Sequence, residues 1–364
     1  MFMNRQELEA ACGWVCFSDG QLEAVTRAWR KMAASPELEG LAREDARQLA
    51  DPQGPTRLLA DPETLRAQLG DEAGLYPVLI LLSRVRWLCG QYERLGIERQ
   101  VLTDTLSDIP LWLDNSQRRF GVAQMREYGW LTNHMRLRLF RLGRLQYIHT
   151  ESRVPAWFFE NVQDGRVTAL AQEGMRFDAA LGELSDDCAA PETRFCLTPQ
   201  TAQGHPIDQA GRIGPQTVAL ERSVWRLALA PGDPVLDVHI PEGPPLDPDQ
   251  VAQSLRRAPA FFAEKLGLCD AKAFTCESWL MSPALSAIMP QSRLAAFQAM
   301  FRAVPYTLSD KQVFERVYGC ARAEWNQLPM ETRLQRGVRD WYASGRNCRQ
   351  MQGVRLMPKG DVKA

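Results

Sequence analysis

The chain has 364 residues, of which 45% are hydrophobic and 24% are charged, a composition typical of soluble globular proteins and not of fibres or disordered chains. Its 43 basic and 44 acidic residues leave a net charge of -1, so no overall field attracts nucleic acid or an anionic membrane. The length allows two domains, each with its own core.

The sequence predicts neither a membrane span nor a secretory signal. The longest apolar run, 76–82, is too short to cross a bilayer, and Arg84 and Arg86 follow it. The N-terminus carries Arg5 and Glu7 where a secretory signal needs apolar residues. We therefore expect a cytoplasmic protein that binds neither membranes nor nucleic acid.

The cysteine and histidine residues do not form a metal-binding pattern. Nine Cys are scattered without a Cys-x-x-Cys pair, which predicts reduced and mostly buried thiols. The four His residues include no His-x-x-x-His or Glu-x-x-His spacing. We expect no metal site.

The first part of the chain, from Asn4 to about Gly143, has apolar residues at helical spacing and is predicted to be all-helical. The segment 21–32 carries an apolar stripe of Leu22, Val25, Trp29 and Met32. Further helices are predicted at 76–95, as a central core helix, and at 97–120 with a break or kink at Pro110. The segment 51–61, rich in Pro and Gly, is predicted to be a loop.

After Arg138 the pattern changes to short β-branched and aromatic segments separated by Gly and Pro. Strands are predicted at 142–150, 224–230, 234–240, 273–281, 303–308 and 351–357. Helices are predicted at 155–160, 248–267, 283–301, 311–319 and 331–345. Residues 168–217 lack periodicity and are predicted to be a partly irregular insertion or two weak strands. This alternation predicts an α/β or α+β layer.

The segment 233–250 reads as a buried strand that leads through a loop into a capped helix. The apolar strand residues are Val235, Leu236, Val238 and Ile240, and Gly243 and two prolines stop the strand. Asp247 and Gln250 have capping-box spacing around Pro248. A strand that leads into a helix N-terminus is a common place for α/β proteins to hold phosphates.

Several phrases in the last two thirds of the chain resemble one protein family. They are 139–147 (LFRLGRLQY), His239-Ile-Pro with Gly243, Ser278-Trp-Leu with Pro283, 297–301 (FQAMF), 316–319 (RVYG) and 328–336 (LPMETRLQR). The family comprises bacterial acyltransferase-domain proteins with a helical N-terminal domain and a C-terminal half like that of the GNAT (N-acetyltransferase) superfamily.

The resemblance implies a helical domain at 1–138 and a GNAT-like mixed sheet flanked by helices at 139–364. It further implies that the strands 234–240 and 273–281 splay apart and admit the pantetheine arm of coenzyme A or acyl-CoA. The diphosphate would lie on the turn and helix start at 242–251. The residues implied in binding this co-substrate are Ile240, Glu242, Gly243, Leu246, Gln250, Val251 and Arg256.

This turn departs from the superfamily pattern Gln/Arg-x-x-Gly-x-Gly/Ala. Only Gly243 is present, prolines at 244, 245 and 248 remove N–H donors, and three carboxylates, that of Glu242 among them, lie where a diphosphate would sit. These features leave an acyl carrier open as the donor, and they favour the alternative of a module that binds no thioester.

Acyl transfer to an amine needs a base for the ammonium proton and an acid for the leaving thiolate. His239 and Glu277 are the candidate bases, at the ends of the two splayed strands, and Tyr306 is a candidate acid. The alternative readings are a His that fixes the turn, a Glu that faces solvent or pairs with an Arg, and a Tyr that simply packs. Cys276 would allow a covalent route, although a buried structural thiol fits it better.

Arg144 and Gln146 are candidate substrate-binding residues, because they could hold a carboxylate or carbonyl, although exposed strand Arg residues are usually solvated. Together the residues and the resemblance predict an acyl-CoA-dependent N-acyltransferase that acts by direct attack of a small-molecule or peptide amine on a thioester. The alternative is a catalytically silent GNAT-like module that binds a ligand or a protein.

Overall fold

The computed structural model describes residues 2–320 and 323–358. Its contacts divide the chain into two compact units, which are described separately. The first comprises Met1–Ile148 with Ile240–Gly243, and the second comprises His149–His239 with Pro244–Ala364. The sequence predicts a domain boundary after residue 138, and the first segment of the first unit ends at Ile148.

The first unit is built of helices followed by a β-hairpin. The helices are α1 (Arg5–Val15), α2 (Asp19–Ala33), α3 (Pro36–Ala50), α4 (Pro62–Leu69), α5 (Tyr76–Arg94), α6 (Arg99–Leu106), α7 (Asp108–Phe120) and α8 (Tyr128–Met135). The antiparallel hairpin consists of β1 (Leu139–Leu142) and β2 (Leu145–Glu151), where the sequence predicts one strand at 142–150. Asn4 and Ser18 cap α1 and α2 through complete capping boxes.

The core of the first unit is centred on α5, whose residues 78–82 are all buried. By length and composition alone, the stretch Pro62–Arg94 is apolar enough to cross a membrane. The burial of α5 among the other helices accounts for this apolarity as it does in any core helix. The prediction of a central core helix at 76–95 is confirmed.

Two details of the helical region differ from the sequence prediction. The buried stripe of α2 runs through Gln21, Val25, Ala28 and Met32. Leu22 is 40% exposed, because the Gln21 amide takes the inward position and donates to the Pro110 carbonyl and the Asp114 carboxylate. The break in 97–120 falls at Ser107, between α6 and α7, and not at Pro110. Pro110 lies in the first turn of α7, where a proline removes no intrahelical hydrogen bond.

The described residues of the second unit form strands of three sheets. Its strands are β3 (Ala156–Asn161), β4 (Val167–Ala171), β5 (Phe195–Leu197), β6 (Thr201–Gly204), β7 (Pro206–Ile207), β8 (Val218–Glu221), β9 (Trp225–Leu229), β10 (Pro234–His239), β11 (Ala273–Ser278), β12 (Arg302–Pro305) and β13 (Met351–Leu356). The largest sheet in this unit has the order β10-β11-β13-β12, and two smaller sheets have the orders β7-β4-β3-β9 and β5-β6-β8. The pair β10–β11 is parallel and the pairs of β13 are antiparallel, so the predicted mixed sheet is confirmed.

Helices connect the strands of the large sheet. They are α9 (Pro248–Leu266), α10 (Pro283–Ile288), α11 (Arg293–Gln298), α12 (Lys311–Val313) and α13 (Arg333–Ala343). The predicted helix 283–301 is divided at Pro290, and Ser292 caps α11. The predicted helix 311–319 consists of α12 followed by the π-helical turn Phe314–Tyr318.

Other predictions for the second unit are corrected by the structure. The segment 155–160 is β3 and not a helix, because its aromatic residues pack on a sheet, and Pro155 precedes a strand. The insertion 168–217 contains most of β4 together with β5, β6 and β7. The strand predicted at 273–281 ends at Ser278, and the 3-10 turn Trp279–Met281 follows it.

Candidate active site

The strands β10 and β11 pair along only part of their length. Their register joins Val235 to Ala273, Leu236 to Phe274 and Asp237 to Thr275. Beyond this point no β10–β11 pair is found in the described part of the chain, whereas β11 stays paired with β13 as far as Ser278. The ladder between the two strands is therefore open at the end that carries His239 and Glu277.

One face of the sheet is apolar at its closed end and polar at its open end. At the closed end, Val235, Ala273, Val304 and Val354 pack in a single cluster with residues of β3, β4 and β9. Because side chains alternate along a strand and register partners share a face, Asp237, His239, Thr275 and Glu277 continue the same face toward the open end. A row of polar side chains thus follows directly from the alternation of the two strands.

Asp237 connects the two strands at the last paired position. Its Oδ1 accepts a hydrogen bond of 2.8 Å from the Thr275 hydroxyl, and its Oδ2 lies 3.0 Å from Nε2 of His239. The side chains of His239 and Asp237 are 27% and 13% exposed, so the imidazole reaches solvent while the carboxylate is largely enclosed. Sequence reasoning missed Asp237, although the Asp-x-His spacing on a strand would have placed both on one face.

Glu277 lies on β11, and Tyr306 directly follows β12, which β13 separates from β11 in the sheet. The Gln350 amide donates to Oε1 of Glu277 over 2.9 Å, and the Tyr306 hydroxyl lies close enough to this carboxylate for its charge to raise the pKa of the phenol. Burial raises the pKa of Tyr306, and the charge of Glu277 raises it further. The hydroxyl is therefore protonated at neutral pH. The side-chain partner of Glu277 is the Gln350 amide, and no salt bridge to an arginine is found for it among the described residues.

Cys276 lies on the opposite face of β11 and is 1% exposed. Burial raises the pKa of its thiol, and the carboxylates of Asp237 and Glu277 add to this effect. A buried, protonated thiol is a poor nucleophile. The geometry supports the interpretation as a structural thiol and not as an acyl acceptor.

The segment Ile240–Gly243 is held by other residues of the first unit. The Glu242 carboxylate pairs with Arg118 and accepts a 2.9 Å hydrogen bond from Asn115. Arg144 donates to the Pro241 carbonyl over 3.1 Å. The charge of Glu242, which the sequence places where a diphosphate would sit, is therefore paired with a guanidinium.

The start of α9 is capped by its own residues. The Asp247 carboxylate accepts from the Gln250 amide over 3.1 Å, and the Asp247 carbonyl accepts from the Val251 amide over 2.9 Å. Leu246 is half-buried, Val251 is buried and Arg256 is exposed. A diphosphate at this helix start would have to take the place of the Asp247 cap. The phosphate-binding role of these residues stays a prediction.

Arg144 and Gln146 are both buried in the first unit, at 7% and 1% exposure, and so differ from the expected solvated strand residues. Burial lowers the pKa of Arg144, and the neighbouring Arg141 lowers it further. Gln146 lies beside Asp108 and helps to lower the pKa of that carboxyl. The two side chains make internal contacts, and their substrate-binding role stays a prediction.

Comparisons with known proteins bear on both parts of the chain. The family model of the GNAT-like C-terminal domain matches residues 139–355, and that of the N-acyltransferase N-terminal domain matches residues 6–137. No curated protein matches the chain significantly.

Solved structures match nearly the whole chain. An acyltransferase mutant in complex with octanoyl-CoA has a TM-score of 0.65 at 19% identity, over 97% of this chain and 88% of that one. An acyltransferase in complex with decanoyl-CoA and teicoplanin has a TM-score of 0.63 at 19% identity, over 98% of this chain and 90% of that one. At these identities the likeness shows the fold. Because the C-terminal model covers more than half of the sequence, the chain belongs to the family of proteins with a GNAT-like C-terminal domain, as its phrases implied.

Proposed function

We propose that this protein is an acyltransferase that moves an acyl group from acyl-CoA to the amine of a small-molecule acceptor. The observation that carries the proposal is the row of His239, Asp237 and Glu277 on one face of two strands whose ladder is open beside them. Family membership supports the reaction class, and the similar structures were solved with octanoyl-CoA, decanoyl-CoA and the glycopeptide teicoplanin.

The open ladder fits the co-substrate, because an extended amide arm can bind along strand backbone where a ladder opens, as the β10–β11 ladder does after Asp237 and Thr275. When bound, acyl-CoA supplies an activated thioester carbonyl. The residues of the chain then handle the protons. His239 accepts the proton of the attacking ammonium, and Asp237 stabilises the imidazolium that results.

Tyr306 supplies the proton for the departing thiolate. Burial raises the pKa of Tyr306 above its ordinary value, and the Glu277 carboxylate raises it further. The hydroxyl therefore keeps its proton until the thiolate forms beside it. Gln350 orients Glu277 through the amide hydrogen bond. Glu277 in this arrangement positions the acid and is a second candidate for the base.

One observation favours the alternative of a silent binding module. The start of α9 is occupied by its own cap, and prolines 244, 245 and 248 donate no hydrogen bonds there. The acidity of the turn is a second argument for a module that binds no thioester. This argument is weaker in the structure, because Arg118 pairs with the Glu242 carboxylate.

Ligand binding and turnover together distinguish the two functions. Melting temperatures are measured with coenzyme A, acetyl-CoA, octanoyl-CoA and decanoyl-CoA, since a ligand at a hundred times its dissociation constant stabilises by about 2.7 kcal/mol. Release of free thiol is then followed with a panel of amines that includes glycopeptides. We expect stabilisation and turnover, and loss of turnover without unfolding in the double variant His239→Ala, Glu277→Gln. No shift with any of these ligands would favour the binding module.

A further inference from the structure

We propose that a cleft of the second unit, at the start of β12, is a binding site for a small carboxylic acid that carries an apolar body. In this site the carboxylate pairs with the guanidinium of Arg302, and the apolar body lies against Leu181 and Ile213. The site goes beyond the proposed acyl transfer, because it needs neither acyl-CoA nor the residues assigned to that reaction.

The cleft has a volume of about 400 Å³, within the range of about 300–1,000 Å³ that small-molecule sites occupy. It is lined by the first residues of β4 and β12, by β7, and by the segments 179–182 and 212–215. Asp237 of the candidate active site lies in the same register row as Arg302, three strand spacings or roughly 14 Å away. The cleft is therefore separate from the place where the β10–β11 ladder opens.

Arg302 brings a half-buried positive charge to the cleft. Its guanidinium donates to the carbonyl oxygens of Ile207 over 3.0 Å and of Val167 over 3.1 Å. These bonds hold the guanidinium in place and use two of its five N–H groups, but a carbonyl oxygen carries no full opposing charge. Burial lowers the pKa of Arg302, and the nearby Asp208 carboxylate offsets this effect only in part. A ligand carboxylate supplies the opposing charge that this guanidinium lacks.

The lining carries more positive than negative charge. Arg212 is exposed at the cleft, and within residues 2–320 and 323–358 neither Arg212 nor Arg302 forms a salt bridge. Asp208 is the single carboxylate among the described lining residues, and its Oδ1 accepts from the amides of Ala210 and Arg212 over 2.9 Å and 2.8 Å. Two guanidinium groups against one carboxylate leave an excess of one positive charge. This excess matches a carboxylate better than a phosphate, which carries roughly -1.5 to -2 charges.

The apolar part of the lining lies next to these charges. Leu181 is 60% exposed, more than any other large hydrophobic residue in the described part of the chain. Ile213 is 1% exposed and belongs to a core cluster of the second unit. A ligand with an apolar body removes the Leu181 side chain from water, which a small ion such as acetate does not.

The protein itself fixes the segment that carries Leu181. The Asp178 carboxylate accepts from the Leu181 amide over 2.9 Å, and the Gly182 carbonyl accepts from the Ile213 amide over 2.8 Å. Gly182 has a φ of +70°, and a Cβ atom at this position would lie 2.9 Å from Cβ of Arg212. Glycine therefore allows the two segments to approach this closely. Because the cleft is already formed, a ligand loses little affinity to the ordering of loops.

Titration of the full-length protein with defined probes tests the site. Sodium hexanoate and sodium phenylacetate are the carboxylate probes, hexanamide and phenylacetamide are their neutral counterparts, and acetate lacks the apolar body. The titrations are followed by NMR of the methyl groups of Leu181, Ile213 and Val167, which line the cleft. We expect saturable shifts of these signals with both probes, and about 10-fold weaker binding of the amides and of acetate.

Two variants test the contacts. Arg302→Met removes the charge and should weaken hexanoate binding by about 10-fold or more. Because Arg302 also holds the carbonyl groups of Val167 and Ile207, a second variant leaves these bonds in place. Leu181→Asp puts a negative charge at the exposed edge of the cleft and should weaken hexanoate binding by roughly 5- to 10-fold. The matched control is Val162→Asp, because Val162 is 58% exposed and lies outside the cleft, and it should bind hexanoate like the unaltered protein.

Coenzyme A added to the hexanoate complex tests whether the cleft is separate from the proposed acyl-transfer site. We expect the shifted signal of Leu181 to stay unchanged, and displacement of hexanoate would contradict a separate site. Equal binding of hexanoate and hexanamide would overturn the recognition of a carboxylate. Absence of shifts at the three methyl groups, or equal affinities of Leu181→Asp and Val162→Asp, would overturn the site itself. None of these results depends on turnover of acyl-CoA, so the proposed acyl transfer stands or fails separately.

Discussion

The buried pair of His134 and Asp108 in the helical unit offers a sharp test of how that unit is stabilised. Nε2 of His134 lies 3.0 Å from Oδ2 of Asp108, and the two side chains are 0% and 4% exposed. Replacing His134 by Leu keeps apolar volume but leaves the carboxylate buried without this partner. We expect a loss of about 3–5 kcal/mol in the free energy of unfolding, the range for leaving a buried charge without its partner.

The pH dependence of this loss has a definite sign. Burial alone raises the pKa of Asp108, but its contacts with His134 and Gln146 lower it overall. The contribution of the carboxylate to stability is therefore present above the pKa of an unfolded aspartate, about 3.9, and is lost as the pH falls through the folded value. In the variant, burial prevails and protonation of Asp108 stabilises the fold. The difference between the two proteins should narrow as the medium is acidified.

Equilibrium urea unfolding, followed by circular dichroism at pH 7 and pH 4, measures this effect. The control is His149→Leu, because the contact of His149 with Asp270 is at the surface, with Asp270 61% exposed, and should cost less than about 1 kcal/mol. Adding Asp108→Asn to His134→Leu should recover part of the loss by removing the buried charge. A cost below about 1 kcal/mol for His134→Leu, or no recovery in the double variant, would refute the reasoning.

Three further predictions concern the second unit and the turn. Tyr306→Phe should lower kcat of the acyl transfer by roughly 10- to 100-fold, because the variant lacks the hydroxyl that protonates the thiolate. Steady-state kinetics measure this change, and an unaltered melting temperature serves as the control for folding. Cys276→Ala should retain turnover but lose about 1–2 kcal/mol of stability, and a thiol reagent should label Cys276 only upon unfolding; inactivation by this substitution would revive the covalent route. Arg118→Ala should weaken the binding of coenzyme A by a few-fold at low salt, because the negative charge of Glu242 then loses its partner, and adding Glu242→Gln should restore the affinity. Calorimetry measures these affinities. Equal affinities in all three proteins would show that the diphosphate does not bind at this turn.

Much of the fold could be predicted because local pattern and tertiary structure agree. The periodicity of α5 and the capped start of α9 are strong signals of this kind. The prediction of a helix at 155–160 is wrong because a proline before a short aromatic stretch is compatible with either a helix start or a strand. The weak strands of 168–217 depend on pairing partners far along the chain, which periodicity does not reveal.

The candidate site was predictable only in part. His239 and Glu277 stand out in the sequence as polar residues at the ends of apolar strands. They can be recognised without knowing how the strands pair. The role of Asp237 depends on its pairing with Thr275, a contact across the ladder that only the structure supplies. The pairing of Glu242 with Arg118 likewise joins residues more than a hundred positions apart.

A crystal structure of the protein with coenzyme A tests the central claim most directly. We predict that the pantetheine arm binds the backbone of Val238 and His239, where β10 no longer pairs with β11, and that its thiol end lies beside the imidazole. Coenzyme A bound elsewhere, or the absence of coenzyme A at saturating concentration, would contradict the account.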